Sequence, residues 1–308
     1  MTRSRFDWLT FFALGFMWGS SYLFIKIGVE QGHLPPLTLV AGRLGIGFAF
    51  IAAVVALARE PLPRGLRIYG HLVVMAVVNI VLPFFLITWA EQSVPSSLGA
   101  IVTAAIPLFV IVIAAFFLRG EPITVSRLVG LVVGFGGVVI LTSANLGGGS
   151  NLVGELALVG ATLSYAIGAV YAKRHVHGLR PMIPALFQVG FAFVIAAGLA
   201  LLFERPWELQ VNGTALLAVG WLGVVGSGAA YLAFFRLLRS WGATRTSLVA
   251  YLLPVVGIIL GVAVLNEPVD ARLLIGTALV IGGVALVNSR YGTRRLFGQV
   301  SAGSAAER

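Results

Sequence analysis

The chain has 308 residues, 59% of them hydrophobic and only 10% charged, with a mean hydropathy of +1.00, a balance that excludes an ordinary soluble domain. It holds no cysteine, which removes disulfides, thiolate metal sites and cysteine nucleophiles from consideration. The net charge of +10 comes from 21 basic residues spread thinly between apolar runs, so it is read as membrane topology and not as a nucleic-acid footprint.

Crossing a hydrocarbon core of about 30 Å takes roughly 20 apolar residues in a helix. Ten stretches meet that length, in chain order 8–28, 36–57, 68–90, 96–118 and 125–142, then 152–172, 182–203, 214–238, 243–265 and 271–287. They predict an all-α integral membrane protein of ten transmembrane helices. The first stretch is too long for a signal peptide and runs on through Trp18, Tyr22 and Lys26 without reaching a small-residue cleavage site. Turn residues such as Pro35-Pro36, Pro61-Leu62-Pro63, Val94-Pro95 and Arg205-Pro206 punctuate the connections. Residues 147–151 read as a linker between halves, and 291–308 as a polar, disordered cytoplasmic tail.

The two halves match. Glu121-Pro122 is followed by Gly130 and Gly136-Gly137, and Glu267-Pro268 is followed at the same intervals by Gly276 and Gly282-Gly283. This predicts an internal duplication, 8–143 and 152–288, with five spans in each copy. Placing the N-terminus in the cytoplasm puts 17 of the 21 Lys and Arg residues at inner ends; Lys26, Arg205 and Arg272 fall at outer ends and Arg43 inside span two. Both termini are therefore expected in the cytoplasm. An odd number of spans per copy turns the second copy upside down, and inverted repeats of this kind hold a solute site at their interface.

Arg43 is the outlier in charge, set within span two where an ionised group must face protein or a wet cavity. It reads either as an anchor for a solute carboxylate or phosphate, or as a side chain that snorkels to the outer headgroups or pairs with helix carbonyls. Gln188 stands seven residues after Pro181 as Arg43 stands seven after Pro36, and reads as its counterpart or as packing glue. Trp18 and Tyr22 share one helix face with Gly15, and Tyr165 with Gly168 occupies the matching part of span six. Backbone breaks are expected at Pro83, Pro107, Pro254 and the Gly226-Ser227-Gly228 run, beside Asn79, Tyr231 and Tyr251. They fall in spans three, four, eight and nine, which are corresponding pairs, so they are candidate hinges around a binding region. Glu121 and Glu267 read first as caps for the helix that follows each, with Arg127 and Arg272 in reach. No carboxylate falls at mid-membrane depth. Glu91 and Glu155 lie near the outer face, His71 near a span end, and a buried proton relay is not expected.

With Trp18-Gly19 ahead of Lys26, the Gly42-Arg43 pair and the twin Glu-Pro...Gly...Gly-Gly tails, the chain resembles the drug/metabolite transporter superfamily, in particular its ten-span members with two EamA-type repeats. The resemblance runs from Trp8 to Asn288. It implies two five-helix bundles around a central cavity and movement of small organic solutes, with bacterial exporters of aromatic and neutral amino acids as the most similar branch. The second copy departs from the first where Tyr165 stands in place of a Trp. Substrate-binding candidates are thus Trp18, Tyr22, Arg43, Asn79, Tyr165, Gln188, Tyr231 and Tyr251. The expected partners are a small-molecule solute, such as an amino acid, and the lipid bilayer of a bacterial inner membrane; no nucleic acid, cofactor or metal is expected. An intramembrane lipid-modifying enzyme or a lipid scramblase is the alternative, and four histidines without cysteine or a midplane acid offer an enzyme little.

Overall fold

The computed structural model of the chain describes residues 5–60, 62–63, 65–117, 123–142, 151–176, 179–180, 182–288 and 295–297. Among them ten helices are long and apolar enough to span a membrane. These are Arg5–Glu30, Pro36–Leu57, Leu66–Ala90, Ser96–Phe117 and Val125–Thr142, then Asn151–His175, Met182–Phe203, Gly213–Trp241, Ser247–Leu265 and Ala271–Asn288. We call them spans one to ten. Every boundary lies within four residues of the one expected from hydropathy. Local chemistry sets several ends. Pro36 opens span two, where a missing N–H costs nothing. The Asn212 side chain accepts a 2.7 Å bond from the Ala215 N–H to cap span eight. Asn266 closes span nine in the left-handed region, at φ 54°.

The four expected breaks are present, and they come in matched kinds. Span three carries a π turn at Val77–Val81, just before Pro83, and span eight a longer one at Leu222–Ala229, holding Gly226 and Gly228. Span four breaks between Ser96–Thr103 and Ile106–Phe117, ahead of Pro107. Span nine starts as a 3-10 turn at Ser247–Tyr251, ahead of Pro254. Spans three and eight thus share a π turn, and spans four and nine are each irregular ahead of their proline, as an inverted duplication would place them.

The twin glycines have a packing reason that the sequence reading did not supply. Spans five and ten cross with their backbones nearly touching. A Cβ on Gly130 would stand 2.7 Å from the Gly283 carbonyl oxygen, and one on Gly137 would stand 2.8 Å from that of Gly276. One on Gly283 would meet the Gly134 Cα at 2.5 Å. Small residues that let helices approach are the usual glue between apolar helices in lipid. Gly136 and Gly282 face open space and take no part.

Two carboxylates stitch the halves together on the face opposite the start of span one. Glu204 accepts from the Leu37 and Thr38 N–H groups at 2.9 and 2.7 Å, capping span two. Glu267 accepts from the Ser96 and Ser97 N–H groups at 2.7 and 3.0 Å and from the Ser96 hydroxyl at 2.8 Å, capping span four. This corrects the expectation for Glu267. It caps a helix of the other repeat, while Asp270 caps span ten by accepting from the Leu273 N–H at 2.7 Å and lies 3.7 Å from Arg272. Proximity in sequence loses here to the free N–H groups that the Pro95 turn presents to Glu267. Glu121 lies outside the described residues, as does most of the 147–151 linker. Of the tail, 295–297 are described, and they pair antiparallel with Ile123–Thr124 rather than running free.

Candidate functional site

A cavity of ≈ 390 Å³ lies at the interface of the repeats. Spans one, two, three, four, six, eight and nine all contribute to its wall. Of the eight expected site residues, Trp18, Tyr22, Arg43, Asn79, Tyr165 and Tyr231 line it together. Gln188 and Tyr251 do not. Gln188 stands behind Asn79, accepting a 3.5 Å contact from its Nδ2, so it positions a wall residue. The Tyr251 hydroxyl turns away to accept from Asn288 Nδ2 at 3.1 Å, although Ala250 and Leu253 beside it reach the cavity. The 3-10 start of span nine accounts for its place off the wall, because a three-residue turn rotates Tyr251 off the face that an α-helix would give it.

Arg43 is 4% exposed, and Nη2 donates one long bond, 3.4 Å, to the Ser227 hydroxyl. Its Nε has no hydrogen-bond partner. The guanidinium carbon lies 4.2 Å from the centroid of the Phe84 ring. A guanidinium has five N–H donors, so this one keeps most of its capacity inside an enclosed space. Snorkelling to the headgroups is thereby excluded. The π turn of span eight brings in both Ser227 and Gly226, where an added Cβ would stand 3.6 Å from Nη2. The bulge thus opens the room that the guanidinium occupies.

The rest of the wall is apolar and aromatic. Phe234 packs on Trp18 with centroids 5.5 Å apart, and Phe84 lies between Arg43 and Tyr165. Phe84, Phe234, Ser21 and Thr103 were missed by sequence reasoning. A phenylalanine among 20 carries no mark of its own, though Phe84 directly follows a break already singled out. Along span one the lining runs from Trp18 to Ile25, and along span three from Asn79 to Ile87, toward the face that Glu267 stitches. Toward the other face it reaches Thr246 and Ser247. Gly15 and Gly168 serve close helix contact, against Leu252 and Asn79 respectively. His71 is apart from the cavity, its Nδ1 2.7 Å from the Tyr171 hydroxyl.

The described residues contain no group of three or more His, Cys, Asp or Glu side chains able to hold a metal. The assembly offers a cation, amide and hydroxyl groups on an aromatic wall, which is how small-molecule sites fix orientation and bury apolar parts.

The model of the EamA-like transporter family matches residues 7–143 and again residues 152–289. The uncharacterized inner membrane transporter YedA of Escherichia coli K12 is 30% identical, over 90% of this chain and 88% of its own length. The uncharacterized transporter YvbV of Bacillus subtilis is 28% identical, over 89% and 88%. A probable amino-acid metabolite efflux pump of E. coli is 25% identical, over 91% and 94%. One solved crystal structure superposes with a TM-score of 0.65 at 24% identity, over 92% of this chain and 96% of its own, and speaks for the fold alone.

Proposed function

The chain belongs to the EamA-like transporter family, and from that premise we propose that it exports small zwitterionic or anionic metabolites, amino acids foremost, across a bacterial inner membrane. It is a multi-pass membrane transporter of the drug/metabolite class, and its solute is a small molecule. The observation that supports the finer reading is Arg43, a buried cation with unused donors on the wall of the inter-repeat cavity. A solute carboxylate would complete those donors in a charge-assisted pair. Trp18, Tyr22, Tyr165 and Tyr231 would give its side chain a semi-apolar wall, and Asn79 a polar contact. The efflux pump similar to this chain carries amino-acid metabolites by its name, which favours the same class.

The repeats are taken as 8–143 and 152–288, with both termini in the cytoplasm. Pro83, Pro107, Gly226, Gly228 and Pro254 are hinge candidates, since each lies in or beside a break where a helix can bend without losing further bonds. Uptake of a panel of radiolabelled amino acids into proteoliposomes tests the reading. Saturable flux of at least one, competed by unlabelled solute, is expected; vesicles that match empty liposomes for the whole panel would refute amino-acid transport.

A further inference from the structure

Glu91 stands just beyond the end of span three and is fully enclosed, at 0% exposure. Neither of its carboxylate oxygens has a hydrogen-bond partner. The cation beside it does not help, because the Lys26 ammonium donates to the backbone carbonyls of Glu91 and Val94 at 2.6 and 3.0 Å and pairs with the Glu30 carboxylate at 2.6 Å. An ionised carboxylate without partners in such a place costs several kcal/mol or more, whereas the neutral acid is far cheaper to bury. The sequence places Glu91 near the outer membrane face, and the structure closes protein around it.

Its position matters as much as its burial. On one side, the N–H of Glu91 bonds to the carbonyl of Ile87, which lines the solute cavity. An added Cβ on Gly99 would stand 3.0 Å from Glu91 Oε1 and 3.0 Å from Tyr22 Cδ1, so carboxylate and cavity tyrosine share the space over one glycine. On the other side, Lys26, Glu30 and Glu267 border a separate crevice of ≈ 530 Å³ on the face opposite the start of span one. Glu91 is therefore inside the partition between the solute cavity and that crevice.

We infer that Glu91 is a proton-binding site whose neutralisation allows this partition to close, so that solute movement is tied to the proton gradient. The inference rests on the transport reading above. One proton from water adds to the carboxylate, giving the neutral acid that the closed partition can hold. When the partition opens, water reaches the group and takes the proton back. The charged and titratable groups facing Glu91 are Lys26, Glu30 and Tyr22 on span one, Arg43 on span two and Glu267 after span nine. Burial pushes the Glu91 carboxyl well above the usual carboxylate range, Lys26 and Arg43 oppose that, and Glu267 and Glu30 add to it.

Two measurements on the full chain test this. Infrared difference spectra of the protein in liposomes, without solute, should show a protonated carboxyl band at neutral pH that Glu91→Gln removes. In proteoliposomes loaded from a radiolabelled amino acid panel, an imposed pH gradient should drive the transported solute beyond equilibration. Glu91→Gln should lose that accumulation while still exchanging labelled for unlabelled solute, and Glu91→Asp should recover part of it. Absence of a Glu91-dependent band, or accumulation unchanged in Glu91→Gln, overturns the inference. If the band is present and no solute moves in the unsubstituted protein, the amino-acid reading fails and coupling falls with it, while the proton site stands.

Discussion

Replacing Arg43 by alanine separates a solute anchor from a structural cation. The guanidinium makes one long bond to Ser227 and leaves Nε without a partner, so it gives the fold little beyond its contact with Phe84. That contact is worth about 0.5–2 kcal/mol and is set against the cost of keeping an incompletely bonded charge out of water. The melting temperature of Arg43→Ala should therefore stay close to that of the unsubstituted protein. Transport should not. A charge-assisted hydrogen bond to a solute carboxylate contributes about 1.5–3 kcal/mol, and at about 1.4 kcal/mol per decade its loss lowers apparent affinity roughly 10- to 150-fold. Arg43→Lys keeps the charge and loses the planar fork, so its loss should be smaller, about 3- to 10-fold. The assay is concentration-dependent counterflow of a transported radiolabelled amino acid in proteoliposomes, with the exposed Arg205→Ala as the control. Unaltered affinity in a well-folded Arg43→Ala would refute the anchor and, with it, the inference that the solute is anionic or zwitterionic. A collapsed melting temperature would instead make Arg43 a structural cation.

Topology can be read by thiol labelling, because a chain with no cysteine needs no background correction. Gln210→Cys, exposed beyond span seven, should react with an impermeant reagent added to intact cells, and Ser240→Cys, exposed near the end of span eight, only after lysis; the reverse pattern would invert the proposed orientation. Gly283→Ala should lower thermal stability by about 1–3 kcal/mol, since its Cβ would overpack the backbone of span five. Neighbouring Gly282→Ala should be neutral or gain up to about 1 kcal/mol, since its Cβ meets open space; equal effects would dismiss the seam. A Glu whose folded-state pKa is raised binds more protons folded than unfolded above about pH 4.3, so its contribution to stability falls as pH rises toward the folded value. Glu91→Gln should therefore stabilise the protein more at alkaline than at acidic pH in a melting series, and a pH-independent difference would count against a neutral buried Glu91.

The spans were legible because each is a continuous apolar run whose ends carry Pro, Asn or charge, features that act locally. The breaks were legible for the same reason at Pro83, Pro107 and Pro254. What kind of break each became was not. A π turn in span eight depends on what packs against Gly226 and Ser227, and Arg43 and Ser21 come from elsewhere in the chain. Six of the eight expected residues share one cavity wall, since polar and aromatic groups too deep for an interfacial belt are left to face a cavity. Gln188 and Tyr251 stand off that wall because depth says nothing about azimuth, and azimuth shifts with every irregular turn upstream. Glu267 was misassigned between two acceptable helix ends, a choice decided only in three dimensions.

The glycine seam has one more implication. Gly130 and Gly276 are counterparts in the two copies, as are Gly137 and Gly283, and across the seam Gly130 meets Gly283 while Gly137 meets Gly276. Position i touches j, and the counterpart of i touches the counterpart of j, which is the signature of an isologous contact. A surface of that kind is complementary to itself. A single half inserted in both orientations would carry everything needed to build the seam from two separate polypeptides, so the covalent link between halves fixes their ratio and their opposite orientations rather than the fit between them.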